Sequence, residues 1–507
     1  MLIGTSELER IVILACIWAT RSVTPISFFH ILCSALWSSY PLRSIHVLTA
    51  YALLESSFYL FIFLPRKAHL QKPATHPPPP TSEKRHELFT RCLSHLTDTK
   101  SFKQWFLDTS AEIRRENVIE WLKWGFFAGE TCDGEKREKQ EREIQEYLAA
   151  LERALGETFP PGYNPELKSI RTTLDDIVIY HRPVVWYLVV CVVEMCSSAV
   201  LHHFGFIHYS SRVPIFPPRP HTLFSSTSPS TQLSYWYKPG SNDKQPTPFL
   251  LLHGIGIGLF PYVPLLLSYS TTHPNTPIVV PELLSISGRI TRPPLSPHEF
   301  LSALESIFQH HNIQTYNLAA HSYGTSLASL LIRAPSPLSK PHSVTLLDPI
   351  PILLHLPSVA RNFLYRKPQR ANEHEIYFFA CTDMGVAHAL ARHFFWTECV
   401  LWKEDLDAMR DDGTGAARVA VILSGDDIIV DSPAVWTYLT KLPPPSLECV
   451  KPGPFVLPVP HPDSLVPTVC EGGNIEVYYF GGLDHAQMFL RKDSWRAIVE
   501  AINRVSK

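Results

Sequence analysis

The sequence predicts an α/β architecture: a mostly parallel central sheet with helices on both faces and a helical cap insertion, preceded by an N-terminal membrane-associated helical region. Three observations point there. After residue 230, short apolar runs alternate with helical patterns, and runs such as Pro248 to Leu252 (PFLLL) are apolar throughout, as strands buried on both faces are. Roughly 65 residues, Ile350 to Ala417, separate two such strands, which is too long for a simple connection. Upstream of residue 205, apolar blocks approach the length needed to cross a bilayer.

The chain has 507 residues, enough for two or three structural units. Hydrophobic residues make up 45% and charged residues 18%, with the apolar excess concentrated towards the N-terminus. A net charge of -2 leaves no electrostatic footprint for nucleic acid. The ten cysteines lack tight spacing and several sit in apolar runs, which favours reduced thiols and a cytosol-facing catalytic domain. The pairs His202-His203 and His310-His311 have no flanking ligand residues, so neither a metal nor a cofactor is expected.

Residues 1–70 read as membrane-associated helices. The runs 11–20 and 23–39 are broken by Arg21 and Pro25, whereas 45–64 is of spanning length despite Glu55. Pro65, Arg66 and Lys67 close that run and place its end in the cytosol by the positive-inside tendency. Residues 71–86 contain HPPPP and form an extended linker. Residues 87–230 are helical at first: Ile144, Tyr147, Leu148, Leu151 and Leu155 make an apolar stripe ended by Gly156 and Pro160-Pro161. A further apolar helix, with a single Glu194, falls near 184–201. Residues 231–507 carry the α/β pattern.

The chemistry lies in that last segment. The strand Pro248 to Leu252 runs into His253-Gly254-Ile255-Gly256-Ile257-Gly258, a turn whose glycines let backbone amides approach a ligand. An apolar strand later runs through Ala320-His321-Ser322-Tyr323-Gly324 straight into a helical pattern. This matches the nucleophile elbow G-x-S-x-G with alanine at its first position, where only a small residue fits. A serine nucleophile needs a base, and the base needs an orienting carboxylate. The strand ARVAVILSGDD ends at Asp426 and Asp427, and NIEVYYFGGLDH leads to His485 at the start of a final helix. Asp427 is the preferred acid, with Asp348, at the end of SVTLLDP, and Asp426 as alternatives.

With these parts in the order Ser, Asp, His, the chain resembles the α/β-hydrolase superfamily over roughly 270 residues. The segments HGIGIGLFPYVPLL, AAHSYGTSLASLL, LLDPIPILLHLPSVARNFLYRKPQRANEHE and DMGVAHALARHFFWTECVLW resemble a fungal family of membrane-associated α/β-hydrolases. The departure from the superfamily pattern is Ala320. The resemblance implies a serine hydrolase, esterase- or lipase-like, with Ser322 as nucleophile, His485 as base, Asp427 as acid, and the backbone N–H groups of Ile255 and Tyr323 as oxyanion hole. The 350–417 insertion would be a cap. Its Leu353, Leu354, Phe363, Phe378, Phe379, Phe394, Phe395 and Trp396 suit a hydrophobic ester or acyl substrate at a membrane. A second insertion, 443–472, reads as a proline-rich surface loop. Acyl transfer or thioester hydrolysis on the same residues, or a non-catalytic binding scaffold, are the competing readings.

Overall fold

The structure, a computed structural model, describes residues 3–37, 42, 45–96, 98–129, 134–240, 246–334, 340–409, 418–445, 453–456 and 466–507. Its centre is a ten-stranded sheet. In chain order the strands are β1 (Ile207–Ser210), β2 (Ser226–Thr227), β3 (Tyr235–Lys238), β4 (Phe249–Leu252), β5 (Ile278–Pro281), β6 (Asn317–His321), β7 (Ser343–Leu347), β8 (Val419–Ser424), β9 (Thr468–Val469) and β10 (Ile475–Phe480). Across the sheet the order is β2-β1-β3-β5-β4-β6-β7-β8-β10-β9. From β5 to β10 all neighbours run parallel, while β3 is antiparallel to both β1 and β5.

Every residue of β4 to β8 and of β10 is buried, which explains their unbroken apolar sequences. Alternate side chains serve opposite faces. Leu250, Leu252, Leu318, Val344, Val421 and Val477 pack under helices Pro297–His310, Tyr323–Ile332 and Ser432–Thr440. Phe249, Leu251, Ala319, Ile422, Tyr478 and Phe480 pack under Val263–Thr272 and Lys492–Val505. The chain order of strands and helices brings the ends of β6, β7, β8 and β10 to one edge of the sheet.

The sheet begins before residue 231, the expected start of the α/β segment. Ile207 pairs with Tyr237 and Tyr209 with Tyr235, so β1 is part of the same sheet. A four-residue strand of sequence IHYS is too short to show a period. The final helix likewise starts at Lys492, later than expected, after a tight turn over Gln487–Leu490.

The N-terminal half is not held at a distance by its linker. Phe89, Phe102, Trp105, Leu122, Trp124 and Tyr147 form a separate core, against which Tyr365 and Trp396 of the cap pack. Among the described residues, three helices are long and apolar enough to cross a membrane: Glu7–Leu36, His46–Leu70 and Val184–His203. All eight cysteines among the described residues are free thiols. The cap beyond Met409, much of the 443–472 insertion, Cys132 and Cys449 lie outside the described residues.

Candidate active site

Ser322 follows directly on β6 and precedes the helix Tyr323–Ile332. Its backbone takes φ 50° and ψ -120°, a conformation that non-glycine residues rarely adopt. Such strain persists only where surroundings enforce it. The Ser322 N–H donates to the Leu347 carbonyl at 3.0 Å. A Cβ on Gly324 would lie 2.4 Å from the Leu252 carbonyl oxygen, so no larger residue fits there. Ala320 sits fully buried opposite Leu252. A Cβ on Gly254 would come within 2.9 Å of the Ser322 Cβ, which shows how closely the glycine-rich turn runs past the serine.

Three of the residues singled out from sequence meet here. The Ser322 hydroxyl lies 2.9 Å from His485 Nε2, and His485 Nδ1 lies 2.7 Å from Asp427 Oδ2. With Nδ1–H donating to the carboxylate, Nε2 is left as an acceptor for the serine proton. Burial disfavours charge on His485, but Asp427 and then Asp348 outweigh it and hold the imidazole above its ordinary range. The other oxygen of Asp427 accepts from the Ile429 and Val430 N–H groups at 2.7 and 2.9 Å, which fixes the carboxylate plane.

The two alternative acids separate. Asp426 is solvent-exposed in the turn after β8. Asp348 is fully buried at the end of β7, with its Oδ2 3.9 Å from His485 Nδ1. It accepts from the Ser424 N–H at 2.8 Å, the Ser424 hydroxyl at 3.0 Å and the Ala486 N–H at 3.0 Å. Burial would raise it, yet His321 and the nearby imidazoles keep it below the usual carboxylate range. Asp348 is thus a second negative charge facing the same imidazole, without the short contact that Asp427 makes.

Three further residues, Asp484, Tyr262 and His321, carry the geometry, and sequence pattern alone assigned them no role. Asp484 accepts from the His485 N–H at 2.7 Å and the Ile428 N–H at 3.1 Å, and from Asn372 Nδ2 of the cap at 2.6 Å. It ties the loop of His485 to the loop of Asp427. Burial, and then the charge on Asp427, pushes Asp484 up to about 6. Tyr262 accepts from the Gly254 N–H at 2.8 Å and reaches His321 Nδ1 at 2.7 Å. The buried His321 ring, pushed down to about 4 by burial, ends 3.8 Å from Asp348. A polar relay therefore runs from the second carboxylate to the glycine-rich turn. His253 locks that turn from the other side, its Nε2 accepting from the Leu283 N–H at 2.9 Å and its Nδ1 donating to the Gly254 carbonyl at 2.8 Å. The Gly256 N–H is held by the Ile286 carbonyl at 3.2 Å.

The site is closed. Ser322 is 6% and His485 5% exposed. The cap aromatics, whose character suits a hydrophobic ester, are mostly engaged in packing. Phe378 packs with Ile13 and Ile17, Phe379 against Trp186, Phe395 against His76 and Trp396 against Phe126. Phe394 alone of these makes a ring contact with Tyr323, at 6.1 Å. Helices that arrive from distant parts of the chain cover the cap, which no local pattern in the insertion reveals. Among the described residues, two groups bring three possible metal-ligand atoms together: Asp348, Asp427 and His485, and His208, His221 and Glu282. In the second group Glu282 is paired with Arg219 at 2.5 Å, so a fixed cation already holds that carboxylate.

The strand order β1-β3-β5-β4-β6-β7-β8-β10, the strained elbow after β6, carboxylates after β7 and β8 and the imidazole after β10 define the α/β-hydrolase fold. No family model matches the sequence, and no curated protein matches it either. Solved structures similar to the chain include a membrane phospholipase A described as a bacterial virulence factor, with 12% identity, 63% of this chain and 94% of that chain covered, and a TM-score of 0.37. A carboxylesterase of Bacillus subtilis shows 11% identity over 60% and 94%, with a TM-score of 0.33. A 2-hydroxy-6-oxo-6-phenylhexa-2,4-dienoate hydrolase of Rhodococcus shows 15% over 54% and 96%, with a TM-score of 0.32. At these scores the likenesses add nothing to what strand order and elbow define.

Proposed function

We propose that the chain is a serine hydrolase that cleaves an ester through an acyl-enzyme. The observation that carries this reading is the continuous Ser322–His485–Asp427 hydrogen-bonded chain, built on an elbow with strained backbone at Ser322. His485 Nε2 takes the proton as Ser322 Oγ attacks the acyl carbon, then returns it to the departing alkoxide; water repeats the sequence on the acyl-enzyme. Asp427 holds the ring and balances the imidazolium. The N–H groups of Gly254 and Gly256 are committed to protein acceptors on either side of Ile255. That arrangement supports the N–H of Ile255, with that of Tyr323 at the helix N-terminus, as the oxyanion donors, each worth about 2.7–4 kcal/mol. The apolar helices support a hydrophobic ester drawn from a membrane as the substrate class.

A fluorophosphonate probe applied to the full-length protein in mild detergent tests this. Labelling of the wild type, with none of Ser322→Ala, is expected. A folded wild type that takes no label would overturn the proposal.

A further inference from the structure

The three apolar helices carry polar residues at positions that fix how they meet a membrane. Helix Val184–His203 has one side buried along its length, with Val184 and Tyr187 against Phe58, Leu201 in the core under the sheet, and Val190, Ser197 and Ser198 between them. Glu194, near its middle, pairs with Arg219 at 2.7 Å and with Arg289. Were this helix to cross a bilayer, those arginines and the strand edge behind them would sit at hydrocarbon depth, where each charge is costly. Its other side exposes Val185, Leu188, Val189, Val192 and Met195.

Helices Glu7–Leu36 and His46–Leu70 form an antiparallel hairpin, registered by Thr24 to Glu55 at 2.6 Å and His30 to Thr49 at 2.9 Å. The halves nearer the two outer ends pack on the cap: Ile13 and Ile17 meet Phe378, and Phe63 and Leu70 meet Met384 and Ala387. Glu55 marks where the packing stops. It accepts from Thr24, from His181 at 2.8 Å and from the Val184 N–H at 2.7 Å, capping the third helix. The outward faces are apolar and bare on both sides of that level: Ile26, Phe29, Leu36, Val47 and Leu54 beyond it, and Leu8, Ile11, Trp18 and Phe61 before it, are all more than half exposed. At 1.5 Å per residue, the free arm from Pro25 to Leu36 is about 18 Å long. That fits one leaflet and falls well short of the ~30 Å hydrocarbon core.

A cavity of about 410 Å³ straddles that level, with Arg21 and Lys67 on the side of the packed ends and Pro25, Phe28, Tyr59 and Phe63 as its apolar walls. Arg21 lies over the Tyr180 ring at 4.8 Å and Lys67 over Phe63 at 5.9 Å. Two cations at the rim of an apolar cleft match the phosphate and upper acyl chains of an anionic lipid.

We propose that these helices form a monotopic docking face for one leaflet of a lipid bilayer, with an anionic phospholipid headgroup seated between Arg21 and Lys67. Both termini and the catalytic domain then lie on the same side of the membrane.

Two measurements on the full-length chain test this. In microsomes, epitope tags at the two termini and after Trp37 are read by antibody before and after the sealed side is opened. The termini are expected on one side, with the Trp37 tag never on the other; termini on opposite sides, or a Trp37 tag opposite them, overturns the proposal. In flotation with phosphatidylcholine vesicles, with and without about 30% phosphatidylserine, tighter binding to the anionic vesicles is expected, weakened roughly fivefold for each charge removed in Arg21→Ala, Lys67→Ala and the double variant. The pair Arg21→Lys with Lys67→Arg keeps the preference, separating charge from folding. No flotation, or an anionic preference untouched in the double variant, overturns the proposal.

Discussion

Asp348→Asn separates the two carboxylates that face His485. Asparagine tolerates the φ of 43° at this position and keeps the side-chain shape. What it removes is a negative charge 3.9 Å from His485 Nδ1. At that distance a unit charge is worth about 1 kcal/mol with the dielectric of water and about 4 kcal/mol at an effective value of about 20. At 1.36 kcal/mol per pH unit, this is about 0.8 to 3 units. The sign follows from the charge: Asp348 favours imidazolium, so its loss lowers the His485 pKa and the neutral base persists to lower pH. The acid limb of kcat/KM for a p-nitrophenyl ester, expected above the ordinary imidazole value in the wild type, therefore moves down in Asp348→Asn while turnover at pH 8 stays within about tenfold. Asp427→Asn, which removes the 2.7 Å partner and frees the wrong tautomer, loses about 10⁴. Asp348→Asn also turns an NH₂ towards the Ala486 N–H and costs about 1–3 kcal/mol of stability, visible as a lower melting temperature. An acid limb that stays in place, or a loss in Asp348→Asn equal to that in Asp427→Asn, refutes this division of roles.

Three more outcomes are expected. Gly324→Ala forces a Cβ to within 2.4 Å of a backbone oxygen of β4, costing about 3 kcal/mol or more, and a melting temperature equal to wild type would contradict the tight elbow. Tyr262→Phe strips the acceptor from the Gly254 N–H, costing about 1–3 kcal/mol and lowering kcat roughly 10- to 100-fold with less change in KM; unaltered kcat would break the link between Tyr262 and the proposed oxyanion role of the glycine-rich turn. Asp484, with its pKa raised from 3.8 to about 6, contributes stability that is present below about pH 4 and lost as pH rises through 6. Relative to Asp484→Asn, wild-type unfolding free energy in urea should therefore fall by roughly 2.4 kcal/mol between pH 4 and pH 7, and a pH-independent difference would argue against the shift.

Ser322, Asp427 and His485 were legible in sequence because each follows an apolar strand, and the chain order of strand ends is a local property of the pattern. The size limits around the elbow were legible too, since Ala320 and Gly324 flank the serine by two residues. The start of the sheet was not: β1 and β2 are so short that pairing partners, rather than periodicity, make them strands. Glu55 and Glu194 looked like defects in apolar runs. Their partners His181, Arg219 and Arg289 lie 25 to 126 positions away, so only folding shows them as satisfied.

The sequence by itself determined which side-chain types arrive at the carboxyl edge of a parallel sheet, because alternating burial and turn chemistry act over a few residues. Tertiary structure alone decided which carboxylate touches the imidazole, 2.7 Å for Asp427 against 3.9 Å for Asp348. It also decided that the cap aromatics serve the N-terminal helices, and that Tyr262, His321 and Asp484 brace the site. The physical reason is range: backbone propensity is local, whereas a hydrogen bond or an ion pair is set by distances that only the packing of remote segments fixes.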